Sequence, residues 1–296
     1  MIIAELRHGQ LEIIDRMRDT VRLAEGLSDT GDLSDSAQDR ALDCLSRFGE
    51  RLRDMRVSSV RTAGTSAIRR TRKDSGFIAA AEAALGYPID VIPGIEEARL
   101  IYSGVTHTLP PNEGLRLVLD IGGGSTELIL GQGGEPQELE SLDLGCVAIT
   151  EQFFGDGRLS REAFEKARAA ARLEISPLQA RFGVSEDIEA VGTSGTIRST
   201  LKVAGELAYI DAAGLSGVVV DQLIERVLEF DTISELSLPG LSERRAEVWP
   251  GGLAIFAELL SLLHIDALRV SDGALREGLL YDLLGRLQDD GDMSFS

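Results

Sequence analysis

The sequence predicts an α/β protein with two domains. Its 296 residues are enough for two domains at roughly 150 residues each. Apolar strand-like segments alternate with amphipathic helical segments, which is typical of the α/β class. A strand meander followed by helix, strand and helix occurs in both halves, as in a duplicated domain. We place the domains at 1–111 and 112–296, with a cleft between them, and expect the last helix to pack back on the first domain.

The composition is that of a globular protein, with 43% hydrophobic and 27% charged residues. The net charge of -19 argues against nucleic acid or an anionic membrane as a partner. No apolar segment approaches the roughly 20 residues that a spanning helix needs, and the first residues lack a signal-peptide pattern. We therefore expect a cytoplasmic protein, in which Cys44 and Cys146 are buried thiols.

The first half of the sequence predicts a hairpin and then alternating helices and strands. Apolar residues up to Glu25 predict two strands that turn near His8-Gly9. Ser34 is a suitable N-cap for an amphipathic helix that continues to Met55. The other predicted elements are a strand at 57–63, a turn at 64–66, a helix through 77–84, a strand at 89–92 and a helix from 96.

The second half predicts a three-stranded meander followed by alternating helices and strands. Its first strand, 115–121, is continuously apolar apart from Arg116 and Asp120. The remaining predicted elements are a tight turn at 122–125, strands at 126–130 and 138–144, helices at 161–180 and 221–230, and strand-turn-helix segments at 190–200 and 267–284.

The segment from Asp120 to Glu127 is the strongest functional signal. Asp120 ends a buried strand, and Gly122, Gly123 and Gly124 follow it. Glycines let backbone N–H groups approach an anion closely, so an acid followed by glycines and the Ser125 hydroxyl suits a metal-bound phosphate. The alternative is a glycine-rich hairpin in which Asp120 hydrogen-bonds the turn.

A second turn, Gly192-Thr193-Ser194-Gly195-Thr196, lies between a predicted strand and a predicted helix. Amides at a helix N-terminus can bind an anion, so Gly192, Ser194 and Gly195 are candidate phosphate-binding residues. The alternative is that the hydroxyl groups only cap the helix.

Glu96 and Glu97 follow a strand and a Pro-Gly turn, where loop carboxylates of α/β proteins often reach a ligand crevice. One of them could act as a general base, and the alternative is favourable charge in the first turn of a helix. A basic cluster precedes them, and it either guides a polyanion or forms a solvated helix face. Its members are Arg69, Arg70, Arg72 and Lys73. The histidines show no metal-ligand spacing.

Five segments together resemble the exopolyphosphatase and guanosine pentaphosphatase (Ppx/GppA) family, whose relatives include actin and the sugar kinases. The resemblance runs nearly end to end and implies an actin-like ATPase (ribonuclease H-like) fold with duplicated domains and a cleft between them. The five segments are Val60–Arg69, Gly94–Tyr102, Asp120–Glu127, Gly192–Arg198 and Ser271–Gly278.

The resemblance also implies a reaction and a role for each candidate residue. The reaction is hydrolysis of the terminal phosphate of inorganic polyphosphate, with guanosine pentaphosphate as the alternative substrate. Glu97 would be the catalytic base, Asp120 and Glu127 would lie near Mg²⁺, and Arg69 would contact the phosphate chain. The remaining candidates would bind phosphate: Gly122, Gly123, Gly124, Ser125, Gly192, Ser194 and Gly195.

The sequence departs from the family at its start. Family members begin with a strand that ends in a first phosphate loop, Asp-x-Gly-Ser-Asn-Ser, whereas Met1–Ala4 resembles the strand after that loop. On the order of twenty residues would then be missing, through a start codon set too late or a shortened chain. If the start is real, we expect lower stability, weaker metal-dependent activity and exposed strand edges.

Two other classes of function compete with the hydrolase. A non-catalytic polyphosphate or nucleotide sensor would explain a missing first loop, and a sugar-kinase-like ATPase would share the fold. The chain resembles the short form of the family, without a C-terminal helical domain. A homodimer is the expected assembly because it is the commonest one.

Overall fold

The structure is a computed structural model that describes residues 1–8, 10–28, 30–185, 187–210 and 214–289. The chain divides into two compact units, Met1–Gly104 with the segment from Leu275 onward, and Val105–Ala274. These boundaries differ from the predicted 1–111 and 112–296. The physical reason is that the last helix makes its close contacts with the first unit, where Gly278 meets the backbone of Leu100.

The elements up to residue 108 follow the predicted order, except that an additional short helix covers residues 66–70 and the strand predicted at 57–63 is reduced to two residues. They are β1 (Ile2–Arg7), β2 (Gln10–Arg16), α1 (Asp35–Asp54), β3 (Ala63–Gly64), α2 (Ser66–Arg70), α3 (Phe77–Leu85), β4 (Asp90–Val91) and α4 (Gly94–Thr108). A short 3₁₀ helix covers Ala24–Gly26.

The described residues of the first unit form two small sheets. The hairpin of β1 and β2 is confirmed, and Gly9, near which the turn was predicted, lies outside the described residues. The predicted strand at 57–63 is wrong in length, because only β3 is a strand. A strand exists only where a partner pairs with it, and β3 and β4 pair in parallel over two residues each.

The elements from 115 onward complete an α/β chain. They are β5 (Leu115–Ile121), β6 (Thr126–Gln132), β7 (Glu135–Leu142), α5 (Cys146–Phe154), α6 (Arg161–Ile175), α7 (Gln179–Phe182), β8 (Glu189–Thr193), α8 (Ser194–Glu206), α9 (Gly217–Val227), α10 (Glu243–Ala246), α11 (Trp249–Leu262), β9 (Arg269–Val270) and α12 (Leu275–Asp289). The predicted α/β class is confirmed.

The second unit is built on one five-stranded sheet in the order β7-β6-β5-β8-β9. The predicted meander β5-β6-β7 is antiparallel, and β8 and β9 continue the sheet parallel to β5. The buried apolar run of β5 therefore lies at the centre of the sheet. As a result, the ends of β5 and β8 and the start of β6 all lie at one edge, which we call the carboxyl edge.

Helix α11 is the centre of the second unit's core. All residues from Trp249 to Leu260 are buried, and the helix packs against α5, α6 and α9. The segment Trp249-Pro250-Gly251-Gly252 has the composition of a loop, but it forms the first turn of α11. Both glycines are needed for close packing: a Cβ on Gly251 would lie 2.4 Å from Thr150 Oγ1.

Smaller apolar clusters occur among the described residues of the first unit, and two of them lie beside α1. One contains Leu33 and Phe77, and the other contains Ile3 and Leu52. Both clusters lie between α1 and the strands or helix that pack against it. Within the described residues, no helix is both long and apolar enough to cross a membrane.

Candidate active site

Two buried carboxylates are neighbours at the carboxyl edge of the second unit. Asp120 near the end of β5 is the cross-strand partner of Glu127 at the start of β6. Both residues are buried, at 9% and 1% exposure, and Ser141 Oγ donates a hydrogen bond of 2.9 Å to Glu127 Oε1. Like charges directly opposite each other on a sheet destabilise it. A cation at this position would relieve that repulsion.

The glycine turn after Asp120 is fixed by backbone hydrogen bonds. Gly122 N donates to Ser125 O at 2.8 Å, and Cys146 N at the start of α5 donates to Gly122 O at 3.0 Å. Gly145 lets α5 begin directly on this turn, because a Cβ there would lie 2.2 Å from Gly123 O. Ser125 is buried and Gly123 is exposed, so the tip of a rigid turn is open to a ligand.

The second glycine turn lies beside the first. Asp120 is paired with Thr193 across β5 and β8, so the two turns leave the sheet at adjacent positions. Ser194 begins α8 with φ of 93°, a value that favours glycine, and such strain costs on the order of 1–3 kcal/mol. The predicted capping is present as well, since Ile197 N donates to Ser194 Oγ at 3.3 Å.

The Ser271–Gly273 segment supports the second turn. Thr193 Oγ1 donates to Gly273 O at 2.9 Å, and Ser271 N donates to Gly192 O at 2.9 Å. Gly192 is also required by packing, because a Cβ there would lie 2.6 Å from Leu268 Cδ2. This glycine therefore has a structural reason that does not involve a ligand.

Arg245 is a site residue that the sequence did not reveal. Its guanidinium group lies on the backbone of Gly195, where a Cβ would be 2.0 Å from Nη2. Burial lowers the pKa of Arg245, and repulsion from Arg198 and Arg244 adds to this effect. Positive charge is therefore concentrated beside the second turn, and a bound anion would stabilise it.

Glu97 and Arg69 lie together in the first unit. Glu97 is in the first turn of α4, and Arg69 Nη1 donates to Glu97 Oε2 at 2.8 Å and to Ile92 O at 3.0 Å. Burial raises the pKa of the Glu97 carboxyl group above its ordinary value, although hydrogen bonds from Arg69 and Thr65 oppose the rise. A raised pKa suits a carboxylate that must accept a proton near neutral pH.

The neighbouring charges have structural partners. Glu96 accepts two hydrogen bonds of 2.7 Å from Arg99, which lower the pKa of Glu96. Arg72 pairs with Asp74 at 2.7 Å and with Asp32 at 3.2 Å. Arg69 alone of the basic cluster pairs with Glu97 in the described residues. Arg70, Arg72 and Lys73 are exposed, and guidance of a polyanion by the cluster stays a prediction.

The structure thus brings the candidate residues together in two sets, one in each unit. The first unit holds Glu97 and Arg69. The second unit holds the two carboxylates and the two turns: Asp120, Gly122, Gly123, Gly124, Ser125, Glu127, Gly192, Ser194 and Gly195. Such turns beside paired carboxylates are typical of α/β proteins that bind phosphate groups. The chain belongs to the Ppx/GppA phosphatase family, whose model matches residues 2–287.

Two relatives show how far the similarity extends. A Haemophilus influenzae protein named provisionally as an exopolyphosphatase is 38% identical over 96% of this chain and 87% of its own length. A guanosine-5'-triphosphate,3'-diphosphate pyrophosphatase of Aliivibrio fischeri is also 38% identical, over 98% of this chain. The chain spans 58% of the length of this second relative.

Solved structures share the fold. An exopolyphosphatase from Cytophaga hutchinsonii is 25% identical with a TM-score of 0.85, over 96% of this chain and 94% of its own. The Aquifex aeolicus family member is 28% identical with a TM-score of 0.78, over 96% of this chain and 93% of its own. The predicted actin-like, duplicated α/β fold is confirmed as the fold of this family.

Proposed function

We propose that this chain is an exopolyphosphatase that releases the terminal phosphate of inorganic polyphosphate. The observation that carries the proposal is the carboxyl edge of the second unit, where two buried carboxylates lie beside two glycine turns. The name of the Haemophilus influenzae relative supports this choice of substrate. The proposed reaction class is hydrolysis of a phosphoric anhydride.

Glu97 is the proposed general base. The oxygen of water forms a bond to the terminal phosphorus, and the bond from that phosphorus to the bridging oxygen breaks. The proton of the water passes to the Glu97 carboxylate, and the shortened chain leaves with the negative charge of the bridging oxygen. Arg69 holds the Glu97 carboxylate in place through Nη1, and its other N–H donors suit a phosphate oxygen.

The second unit supplies the proposed phosphate site. Gly122 N already donates to Ser125 O, so the suitable donors to phosphate oxygens are the backbone N–H groups from Gly123 to Ser125 and that of Gly195 at the start of α8. Arg245 brings a positive charge to the second turn. These groups would neutralise charge on the phosphate chain without covalent chemistry.

Asp120 and Glu127 fit a bound Mg²⁺. Mg²⁺ prefers oxygen ligands and commonly keeps several waters beside one or two carboxylates. The described residues include no group of three or more acidic, histidine or cysteine side chains that could enclose a metal. Water and substrate oxygens would therefore complete the shell. When bound, the ion would neutralise negative charge on the phosphates.

Guanosine pentaphosphate is the second candidate substrate. The Aliivibrio fischeri relative is named for this nucleotide and has the same 38% identity. A third candidate is binding of polyphosphate or nucleotide without hydrolysis.

We also propose a cytoplasmic location, which the free buried thiols of Cys44 and Cys146 support. A homodimer stays a prediction that light scattering can test.

The test is phosphate release from long-chain polyphosphate and from guanosine pentaphosphate, with Mg²⁺, by the wild-type chain and Glu97→Gln. We expect faster release from polyphosphate, and a loss of at least about a hundredfold in kcat for the variant because the base is gone. Binding of polyphosphate should persist. The matched control is Glu50→Gln, the same substitution at an exposed position of α1.

Each other outcome selects a different conclusion. Faster release from the nucleotide would select guanosine pentaphosphate as the substrate. Binding without release from either substrate would select the binding protein. An active Glu97→Gln variant would contradict the assignment of the base.

A further inference from the structure

A cluster of five charged residues joins α12 to the first turn of α4. Arg99 Nη2 donates to Asp282 Oδ1 at 2.6 Å, and Arg286 Nε donates to Asp282 Oδ2 at 2.8 Å. Arg61 Nη1 also donates to Asp282 Oδ2. Arg99 in turn holds both carboxylate oxygens of Glu96 at 2.7 Å. We call these residues, Arg61, Glu96, Arg99, Asp282 and Arg286, the α12 charge cluster.

The centre of the α12 charge cluster is shielded from solvent. The side chains of Arg61 and Asp282 are 9% and 11% exposed. Exposed ion pairs contribute little to stability, whereas removal of one partner of a buried pair leaves an uncompensated charge. Asp282 accepts from three arginines, so its carboxylate is the group on which the cluster depends.

Helix α12 also touches α4 at the level of the backbone. Gly278 precedes Asp282 by one helical turn, so both residues lie on the same face of α12. A Cβ on Gly278 would lie 1.8 Å from Leu100 O. Close backbone contact at Gly278 and ion pairs at Asp282 therefore fix α4 against α12 at two successive turns.

We propose that Asp282 is a positioning residue for Glu97. Glu97 follows Glu96 directly, and its 2.8 Å hydrogen bond with Arg69 depends on the placement of the first turn of α4. The Asp282 carboxylate fixes that turn through Arg99 and Glu96. This inference rests on the proposed role of Glu97 as the base.

The test variant is Asp282→Asn, which keeps the shape of the side chain and removes its charge. The three arginines would then face Glu96 as the only carboxylate of the α12 charge cluster. Asp282→Glu is the conservative variant that restores a carboxylate. Asp15→Asn is the matched control. Asp15 Oδ2 accepts from Arg51 Nε at 2.6 Å in the same unit, and among the described residues no ion pair joins Asp15 to α4.

Hydrogen exchange gives a readout that does not need turnover. We expect amide exchange in residues 94–101 to be about tenfold faster in Asp282→Asn than in the wild type, because local opening of that turn becomes easier. Residues 40–50 of α1 should exchange at the wild-type rate, and Asp15→Asn should leave residues 94–101 unchanged. Equal acceleration in both segments would mean general destabilisation and would overturn the proposal.

Steady-state kinetics on polyphosphate give the second readout. We expect kcat of Asp282→Asn to fall about tenfold with KM within about twofold, because a small displacement of a reacting group slows chemistry more than binding. Asp282→Glu should recover at least half of kcat. If Asp282→Asn keeps the wild-type kcat while Glu97→Gln is inactive, the positioning role of Asp282 is overturned and the proposed function is not. Absence of wild-type turnover would overturn the proposed function and this role with it.

Discussion

The two compact units contain similar elements but are stabilised in different ways. In the second unit, five strands form one sheet, and α11 is buried along its whole apolar length. In the first unit, the described strands form two sheets of two strands each. Its buried apolar side chains include two small clusters beside α1 and the buried Leu100, Ile101 and Tyr102 of α4. Its helices are also joined by ion pairs such as those of Asp282 and by the glycine contact at Gly278.

This difference shows that one architecture can rest on two kinds of interaction. A continuous sheet and a large core bring hydrophobic burial, which is tolerant of small shifts at the surface. Ion pairs and backbone contacts depend on exact geometry and so are sensitive to single substitutions. We expect the first unit to respond to surface and helix substitutions, and the second unit to respond to changes inside its core.

The largest effect is expected from the one buried carboxylate of α11. Glu258 is fully buried and is held by Arg168 at 2.7 Å and by Arg172 at 2.8 Å. The double substitution Arg168→Ala and Arg172→Ala should lower the free energy of unfolding by about 3–5 kcal/mol, because a buried charge loses both partners. Urea unfolding measures the change.

A control on α6, the helix that carries Arg168 and Arg172, separates the effect of burial from the effect of charge. Arg161 pairs with Glu225 at 2.7 Å on the surface, so Arg161→Ala should change the free energy of unfolding by less than about 1 kcal/mol. Equal losses in both variants would show that the second unit also depends on surface ion pairs, which contradicts the comparison of the units.

The glycine contact of the first unit should show the next largest effect. Gly278→Ala would place a Cβ 1.8 Å from a backbone oxygen, so we expect a loss of about 1–3 kcal/mol by urea unfolding. Gly285→Ala on the same helix meets no heavy atom within 4 Å and should instead stabilise by about 0.5–1 kcal/mol. A harmless Gly278→Ala would mean that α12 is not tightly packed on α4.

A smaller effect of opposite sign is expected at the carboxyl edge of the second unit. Asp120→Asn removes the repulsion from Glu127 and should raise stability without metal by about 0.2–1 kcal/mol. Mg²⁺ should raise the melting temperature of the wild type and have less effect on the variant. The exposed Asp143→Asn is the control for loss of one charge. Equal stabilisation of Asp120→Asn and Asp143→Asn by Mg²⁺ would contradict the assigned ligands.

The smallest expected effect is a shift of a pH profile in the first unit. Arg69 lowers the pKa of Glu97, so Arg69→Gln should raise that pKa further. Because the base form of Glu97 exists only above its pKa, the acidic limb of the kcat/KM profile should move to higher pH. Arg72→Gln should leave the limb in place, since Arg72 pairs with Asp32 and Asp74. A limb that moves to lower pH would contradict the role of Glu97.

The sequence predicted the second unit better than the first, for a physical reason. The strands β5 and β6 were located well because a buried central strand carries an uninterrupted apolar run and a glycine turn marks its end. The strand predicted at 57–63 was much too long, because the extent of strand pairing depends on the partner and not on local apolar residues.

Two features of the second unit could not be found from local patterns. Trp249-Pro250-Gly251-Gly252 resembles a loop, yet the proline fits the first helical turn and the glycines allow close packing of α11. Arg245 is distant in sequence from Gly195, so only the fold shows that its guanidinium group lies on the second turn. The glycine turns themselves were visible because acid, glycine and hydroxyl residues stand together in the sequence.

The positive φ of Ser194 has a consequence for protein engineering. A glycine would adopt this backbone without steric cost, so a design procedure that rewards relaxed geometry would replace the serine. That replacement would also delete the hydroxyl that accepts from Ile197 N and would loosen the start of α8. Position 194 is therefore one at which relief of backbone strain and retention of the hydroxyl that accepts from Ile197 N call for different amino acids.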